Sequence, residues 1–153
     1  MSLVATFYAA GTPRPQGSKR GFVQGGQVRL VESGGVKHKD WRATVAHAAH
    51  DAMDGRAPVA GPLSVAMTFH LSRPKSHPKT RRTWPVKRPD CDKLVRSVAD
   101  SLTHVVWKDD SQIVELVARK CWAYNTGPQA PDATGWAPGP GVTVWVRSCE
   151  VQP

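Results

Sequence analysis

The chain has 153 residues, 40% of them hydrophobic, and Lys plus Arg outnumber Asp plus Glu by 21 to 12, for a formal charge of +9. That length suits one domain around one core, and no apolar run approaches the roughly 18 residues that a membrane span needs. The basic excess suits a polyanionic partner, nucleic acid or an anionic membrane surface, and three widely spaced cysteines without a Cys-x-x-Cys make a structural zinc site a poor reading and a reducing cytoplasm the simplest setting.

The first residues, MSLVATFYAAGTPRP, carry no basic leader and read as a strand, not as a signal peptide. Over residues 3–9, Val4, Thr6 and Tyr8 alternate with Leu3, Ala5 and Phe7. Residues 11–20 break the strand and form a loop with Arg14, Lys19 and Arg20 and no acid. Those cations could meet DNA phosphates or simply face water. Phe22-Val23 and Val28-Arg29-Leu30 flank Gln24-Gly25-Gly26-Gln27, which predicts a hairpin.

Residues 40–54 predict the first helix. Trp41, Val45, Ala48, Ala49 and Ala52 form its apolar face, and Gly55 ends it. The small alanines allow close packing, against the domain or a second subunit. His47 and His50 lack the rest of a zinc signature and read as ordinary surface or core histidines. Residues 63–71 are the cleanest strand, with Leu63, Val65, Met67, Phe69 and Leu71 on one face.

Residues 72–88 then carry seven cations: Arg73, Lys75, Lys79, Arg81, Arg82, Lys87 and Arg88. Three prolines and no apolar period predict an extended loop. No acid occurs between Asp54 and Asp90, so this loop delivers positive charge directly to a cluster of carboxylates. A DNA backbone approaching a metal site needs such a track. Trp84 could stack on an exposed base or pack on the core.

The stretch 88–113, RPDCDKLVRSVADSLTHVVWKDDSQI, holds five of the twelve acids: Asp90, Asp92, Asp100, Asp109 and Asp110. Pro89 suits a turn or the first helical position, and Asp90 or Asp92 can cap the helix that follows. Leu94, Val98, Leu102 and Val105 form its apolar stripe, with its end expected near residues 104–106. Asp92, Arg96 and Asp100 line a polar face. The chain then reverses through Trp107-Lys108-Asp109-Asp110 into a strand over 113–124, with Val114, Leu116, Ala118 and Trp122 on one side. Residues 126–141 are rich in Pro and Gly and read as a loop that contains Trp136, and Val142, Val144 and Val146 mark a last strand. If the intervening turn folds back and brings the two carboxylate clusters together, their hard oxygens suit Mg²⁺ or Mn²⁺, one ion or two about 4 Å apart, for phosphodiester cleavage.

The same stretch resembles the signature of the RusA family of Holliday junction resolvases. The features that carry the likeness are Asp90-x-Asp92 after a basic segment, Leu94 and Arg96 on a helix, then Trp107, Asp109, Asp110 and Gln112. The close likeness spans about 25 residues, and a looser one, with the first strand and the basic Pro loop, most of the chain. The resemblance implies metal ligation by Asp90, Asp92 and Asp110, with Asp109 in support. It also implies a homodimer that cuts branched DNA with Mg²⁺, leaving 5′-phosphate and 3′-hydroxyl ends. Arg96 stands where the family usually has a catalytic Lys, and Lys93 where it usually has Asn. Arg is no acid or base at neutral pH, so Arg96 reads as a phosphate clamp and Lys93 as a further DNA contact.

The expectation is therefore one α+β domain over residues 1–153, a mixed or antiparallel sheet with two main helices packed on one face. No membrane and no organic cofactor enter the reading. Two competitors remain: a basic nucleic-acid-binding module that does no chemistry, and a sugar-nucleotide transferase using Asp-x-Asp, which needs a longer chain and no basic approach loop.

Overall fold

In the computed structural model, residues 1–17, 19–32, 34–78, 83–123 and 139–149 are described. The elements run β1 (Ser2–Ala10), β2 (Lys19–Gln24), β3 (Gln27–Glu32), α1 (Gly35–Met53), β4 (Leu63–Leu71), α2 (Cys91–Leu102), β5 (Ile113–Trp122) and β6 (Gly141–Ser148). Four strands form one sheet in the order β1-β6-β4-β5, and β2 and β3 form a separate ribbon. β6 is antiparallel to both β1 and β4, whereas β5 runs parallel to β4, so the sheet is mixed as expected.

Both helices pack on one face of the sheet. Met67 faces Val144 across β4 and β6, and Phe69 faces Val142, in the alternating register that puts every second residue inward. These side chains meet Trp41, Val45, Ala49 and Met53 of α1 and Leu94, Val98 and Leu102 of α2 in one core. His38 Nε2 and Ser97 Oγ, 3.1 Å apart, join the helices by a buried polar contact.

Several boundaries moved for physical reasons. In β1 a bulge between Leu3 and Ala5 interrupts the alternation, so Val4 and Ala5 are both buried. α1 begins at Gly35, five residues before the expected start. The periodic signal was masked there because the inward residue one turn before Trp41 is a histidine, His38. At its end Asp54 and Gly55 adopt left-handed φ values of 47° and 74°. Arg56 donates to the Ala52 and Met53 carbonyls and to Val4 of β1, which locks the helix end to the sheet. α2 stops at Leu102, and Val106 and Trp107 fill the core beyond it. Val114 and Leu116 are exposed instead of packed, because β5 is an edge strand of the described sheet. The expected loop over 126–141, with Trp136, lies largely outside the described residues.

The expected hairpin is present, closed by Gly25 and Gly26 with φ of 61° and 75°, the signature of a type I′ turn. It begins at Lys19, so Lys19 and Arg20 belong to a strand and not to a loop. Every residue from Lys19 to Val31 is exposed.

Candidate active site

Asp90 occupies the N-cap position of α2, yet its carboxylate makes no capping bond. Its oxygen lies 3.4 Å from Lys93 Nζ. Asp92 sits in the first turn of the helix and is exposed. A carboxylate suits this position because the free N–H groups of the first turn favour negative charge. The Arg88–Pro89 peptide bond before it is cis.

Lys120 supports this corner from β5. Its ammonium donates to the Lys87 carbonyl at 3.0 Å and to the Pro89 carbonyl at 2.9 Å. It thereby ties the backbone just before Asp90 to the sheet. Burial pushes the Cys91 thiol above its usual pKa, the Lys120 charge opposes that shift, and Asp92 adds to it, so all three groups share one electrostatic neighbourhood. Gln16 N–H donates to the Lys93 carbonyl, which brings the 11–17 loop and its half-buried Arg14 to the same end.

The second acidic segment is a 3₁₀ turn, Asp110–Gln112. Trp107 anchors it: the ring is fully buried and its Nε1 donates to Thr103 Oγ1. Asp109 Oδ1 accepts from Ser111 N–H at 2.8 Å. Hydrogen bonds from Ser111 hold the Asp109 carboxyl below the usual carboxylate range. Gln112 Oε1 accepts from the Lys108 and Asp109 N–H groups, and its Nε2 donates to the Val59 and Gly61 carbonyls. Asp109 is thus engaged as a cap and Gln112 as a staple to the segment before β4. Asp110 is exposed at the start of the turn.

The two acidic segments do not meet within one chain. α2 rises about 15 Å between Asp92 and Leu102, and β5 climbs about 23 Å from Ile113 to Lys120. Helix and strand run in opposite directions, so Asp110 lies at the start of β5 while Asp90 and Asp92 lie beside its end. Among the described residues, no three His, Cys, Asp or Glu side chains form a group able to hold a metal ion. The expected convergence fails for a geometric reason. When a helix folds back onto a strand, the end of the helix meets the start of the strand, and the two starts stay apart.

The expected DNA contacts fall into distinct groups. Lys75, Lys87, Arg88 and Arg96 are exposed, and so is Trp84. Arg73 is corrected: it is 7% exposed and donates to Thr83 Oγ1, so it braces the loop from beneath. Trp122 shares that hydroxyl and packs at a tilt against His77, with ring centroids 5.0 Å apart. Lys93 is paired with Asp90. Lys79, Arg81 and Arg82 lie outside the described residues.

Sequence reasoning passed over three features. Lys120 was unremarkable in a strand, and only its reach to two carbonyls marks it. Gln112 was part of the motif without a role. The ribbon was read only as a hairpin, but its register puts Arg20, Phe22 and Gln24 with Val31, Arg29 and Gln27 on one face, and Val23, Val28 and Leu30 on the other.

The chain is 29% identical over 126 residues to the uncharacterized protein YqaN of Bacillus subtilis (strain 168), covering 76% of this chain and 87% of that protein. The family model of endodeoxyribonuclease RusA matches residues 10–129, a span that includes the ribbon, both helices and both acidic segments. The chain belongs to the RusA endodeoxyribonuclease family.

Proposed function

We propose that the chain is a Holliday junction resolvase, a Mg²⁺-dependent endonuclease that cuts four-way DNA junctions by paired, symmetric incisions during recombination and repair. Mn²⁺ is able to substitute. The observation that carries this reading is the exposed pair Asp90 and Asp92 at the start of α2, held by Lys120 and approached by a cation-rich loop, within the segment matched by the family model.

Asp90 and Asp92 offer only carboxylate oxygens, which suit a hard divalent cation by their chemistry, and Asp110, at the other end of β5 in the same chain, offers the same kind of donor. Asp109 is a weaker candidate because one of its oxygens already serves Ser111. When bound, such an ion supplies Lewis-acid neutralisation of phosphate charge. Arg96, one turn beyond Asp92 on α2, clamps a phosphate in this reading. Lys75, Lys87 and Arg88 hold the junction arms, with Lys79, Arg81 and Arg82 assigned the same part. A homodimer fits the reaction because two matched cuts need two active sites related by a two-fold axis. The free cysteines Cys91, Cys121 and Cys149 are compatible with a cytoplasmic setting, and among the described residues no helix is long and apolar enough to cross a membrane.

The test is cleavage of a synthetic four-way junction, with and without Mg²⁺. The wild type is expected to cut only with the ion, and Asp90→Asn, Asp92→Asn and Asp110→Asn to fold and bind without cutting. Full cleavage by Asp92→Asn refutes the site. Binding without cutting by the wild type, under any divalent ion, points to the passive binding module instead.

A further inference from the structure

The face of the sheet opposite the helices carries a second group of side chains suited to binding. Val144 and Val146 of β6 are fully buried in the core, so Trp145 between them stands on the other face, half-buried. Its neighbours in register are short, Thr6 on β1 and Ala66 on β4. Two residues further along β6, the exposed Arg147 lies opposite Ser64 of β4. From β5, the exposed Arg119 donates through Nε to Thr68 Oγ1 at 3.2 Å. Ser64, Ala66, Arg119, Trp145 and Arg147 line one open pocket of about 300 Å³, at the lower end of the range for small-ligand sites.

The pocket holds donors without protein acceptors. Among the described residues, the Trp145 indole N–H, the terminal nitrogens of Arg119 and the Arg147 guanidinium make no hydrogen bond or ion pair. Glu115, opposite Ser64 in register, accepts from Ser64 Oγ and pairs with neither arginine. Lys120, the next residue after Arg119, shares the helix-side face with Phe69 and holds the backbone before Asp90. The pocket and the acidic corner therefore lie on opposite faces of β5. Trp145 and Arg147 also lie beyond the 10–129 span of the family match.

We propose that this pocket binds an unpaired nucleotide of single-stranded DNA, with the base stacked on Trp145 and the phosphate held by Arg119 and Arg147. An aromatic ring beside cations is what a single strand needs, since the ring takes the face of any base and the cations track the backbone. An acidic peptide would satisfy the two arginines and leave the indole unused. A duplex would offer phosphates but keep its bases stacked away from the ring. An unpaired nucleotide uses all three side chains. The choice of DNA as the polymer rests on the nuclease reading, and the pocket itself does not.

The test is fluorescence anisotropy with a labelled oligothymidine, without divalent ion so that no cleavage intervenes. Trp145→Ala is expected to weaken binding about 10-fold, the order that one base stacked on an aromatic ring contributes. It is expected to leave unchanged the binding of an abasic strand of the same length and of a duplex. Arg119→Gln and Arg147→Gln are each expected to lower the slope of log K against log salt by about 0.7 on the single strand. Circular dichroism checks the fold, and Trp145→Leu, which keeps more of the volume, replaces Trp145→Ala if that variant unfolds. Equal affinity of the Trp145 variant and the wild type for oligothymidine, or an equal loss on the abasic strand and the duplex, overturns the proposal. An unchanged salt slope in either arginine variant overturns it as well. If the wild type cuts no junction, the nuclease reading fails, while the oligothymidine measurements still decide the pocket.

Discussion

Gln112→Met tests the staple under Asp109 and Asp110. Methionine keeps the length and most of the volume of the side chain and removes its amide. Four hydrogen bonds go with it, two from the Lys108 and Asp109 N–H groups and two to the Val59 and Gly61 carbonyls. At about 0.5–1.5 kcal/mol net for each bond, the gross loss is about 2–6 kcal/mol. Lys108 and Asp109 are exposed, so water recovers part of it. The expected net cost is about 2 kcal/mol, near the low end of that range. For a chain of this size each kcal/mol moves Tm by about 2–4 °C, so the midpoint is expected to fall by about 4–8 °C. Thermal unfolding followed by circular dichroism reads the shift. Native-state hydrogen exchange locates it, with the Lys108 and Asp109 amides losing protection before the core strands do. A midpoint within 1 °C of wild type, with those amides still protected, would refute the idea that Gln112 holds the turn.

Lys120→Met removes the two bonds to the Lys87 and Pro89 carbonyls and keeps the aliphatic stem. In single-turnover cleavage of a four-way junction the rate is expected to drop roughly 10- to 100-fold, because small displacements of reacting groups cost that much, with Kd nearly unchanged and partial rescue by Lys120→Arg. Equal losses in rate and binding would argue against a positioning role. Asp109 titrates below the usual carboxylate range, so its contribution is present above the unfolded pKa and lost as pH falls through the folded one. The stability gap between wild type and Asp109→Ala should therefore be flat above about pH 5 and close as pH drops below about 4. A gap that widens in acid contradicts the capping role. Arg20→Ala/Arg29→Ala, on the ribbon face that carries both arginines, is expected to reduce the salt dependence of DNA binding by about two units of slope. An unchanged slope means that this face does not meet phosphate.

Much of the fold was legible in the residues because the relevant forces are local. Strand β4 was read to its ends because alternation with period two survives wherever one face is buried. α2 was legible because Leu94, Val98 and Leu102 repeat with the pitch of a helix, and the ribbon because Gly25-Gly26 favours one turn type. Where a polar side chain takes an inward position, as His38 does, the pattern loses its mark and the boundary slips. A buried Arg73 was hidden for the same reason: a cation in a basic loop looks like surface until its neighbours are known.

Sequence by itself determined the chemistry on offer, namely carboxylates at two segment starts, cations on the approach, and a motif specific enough to point to the family that the comparison established. Tertiary structure decided where those groups stand. The direction of β5 against α2 is a property of chain topology, which spacing along the polymer does not encode, and it sends Asp110 to the far end from Asp90 and Asp92. The same topology gives Lys120 and Gln112 their work, since hydrogen bonds between distant segments exist only after the core has set those segments side by side.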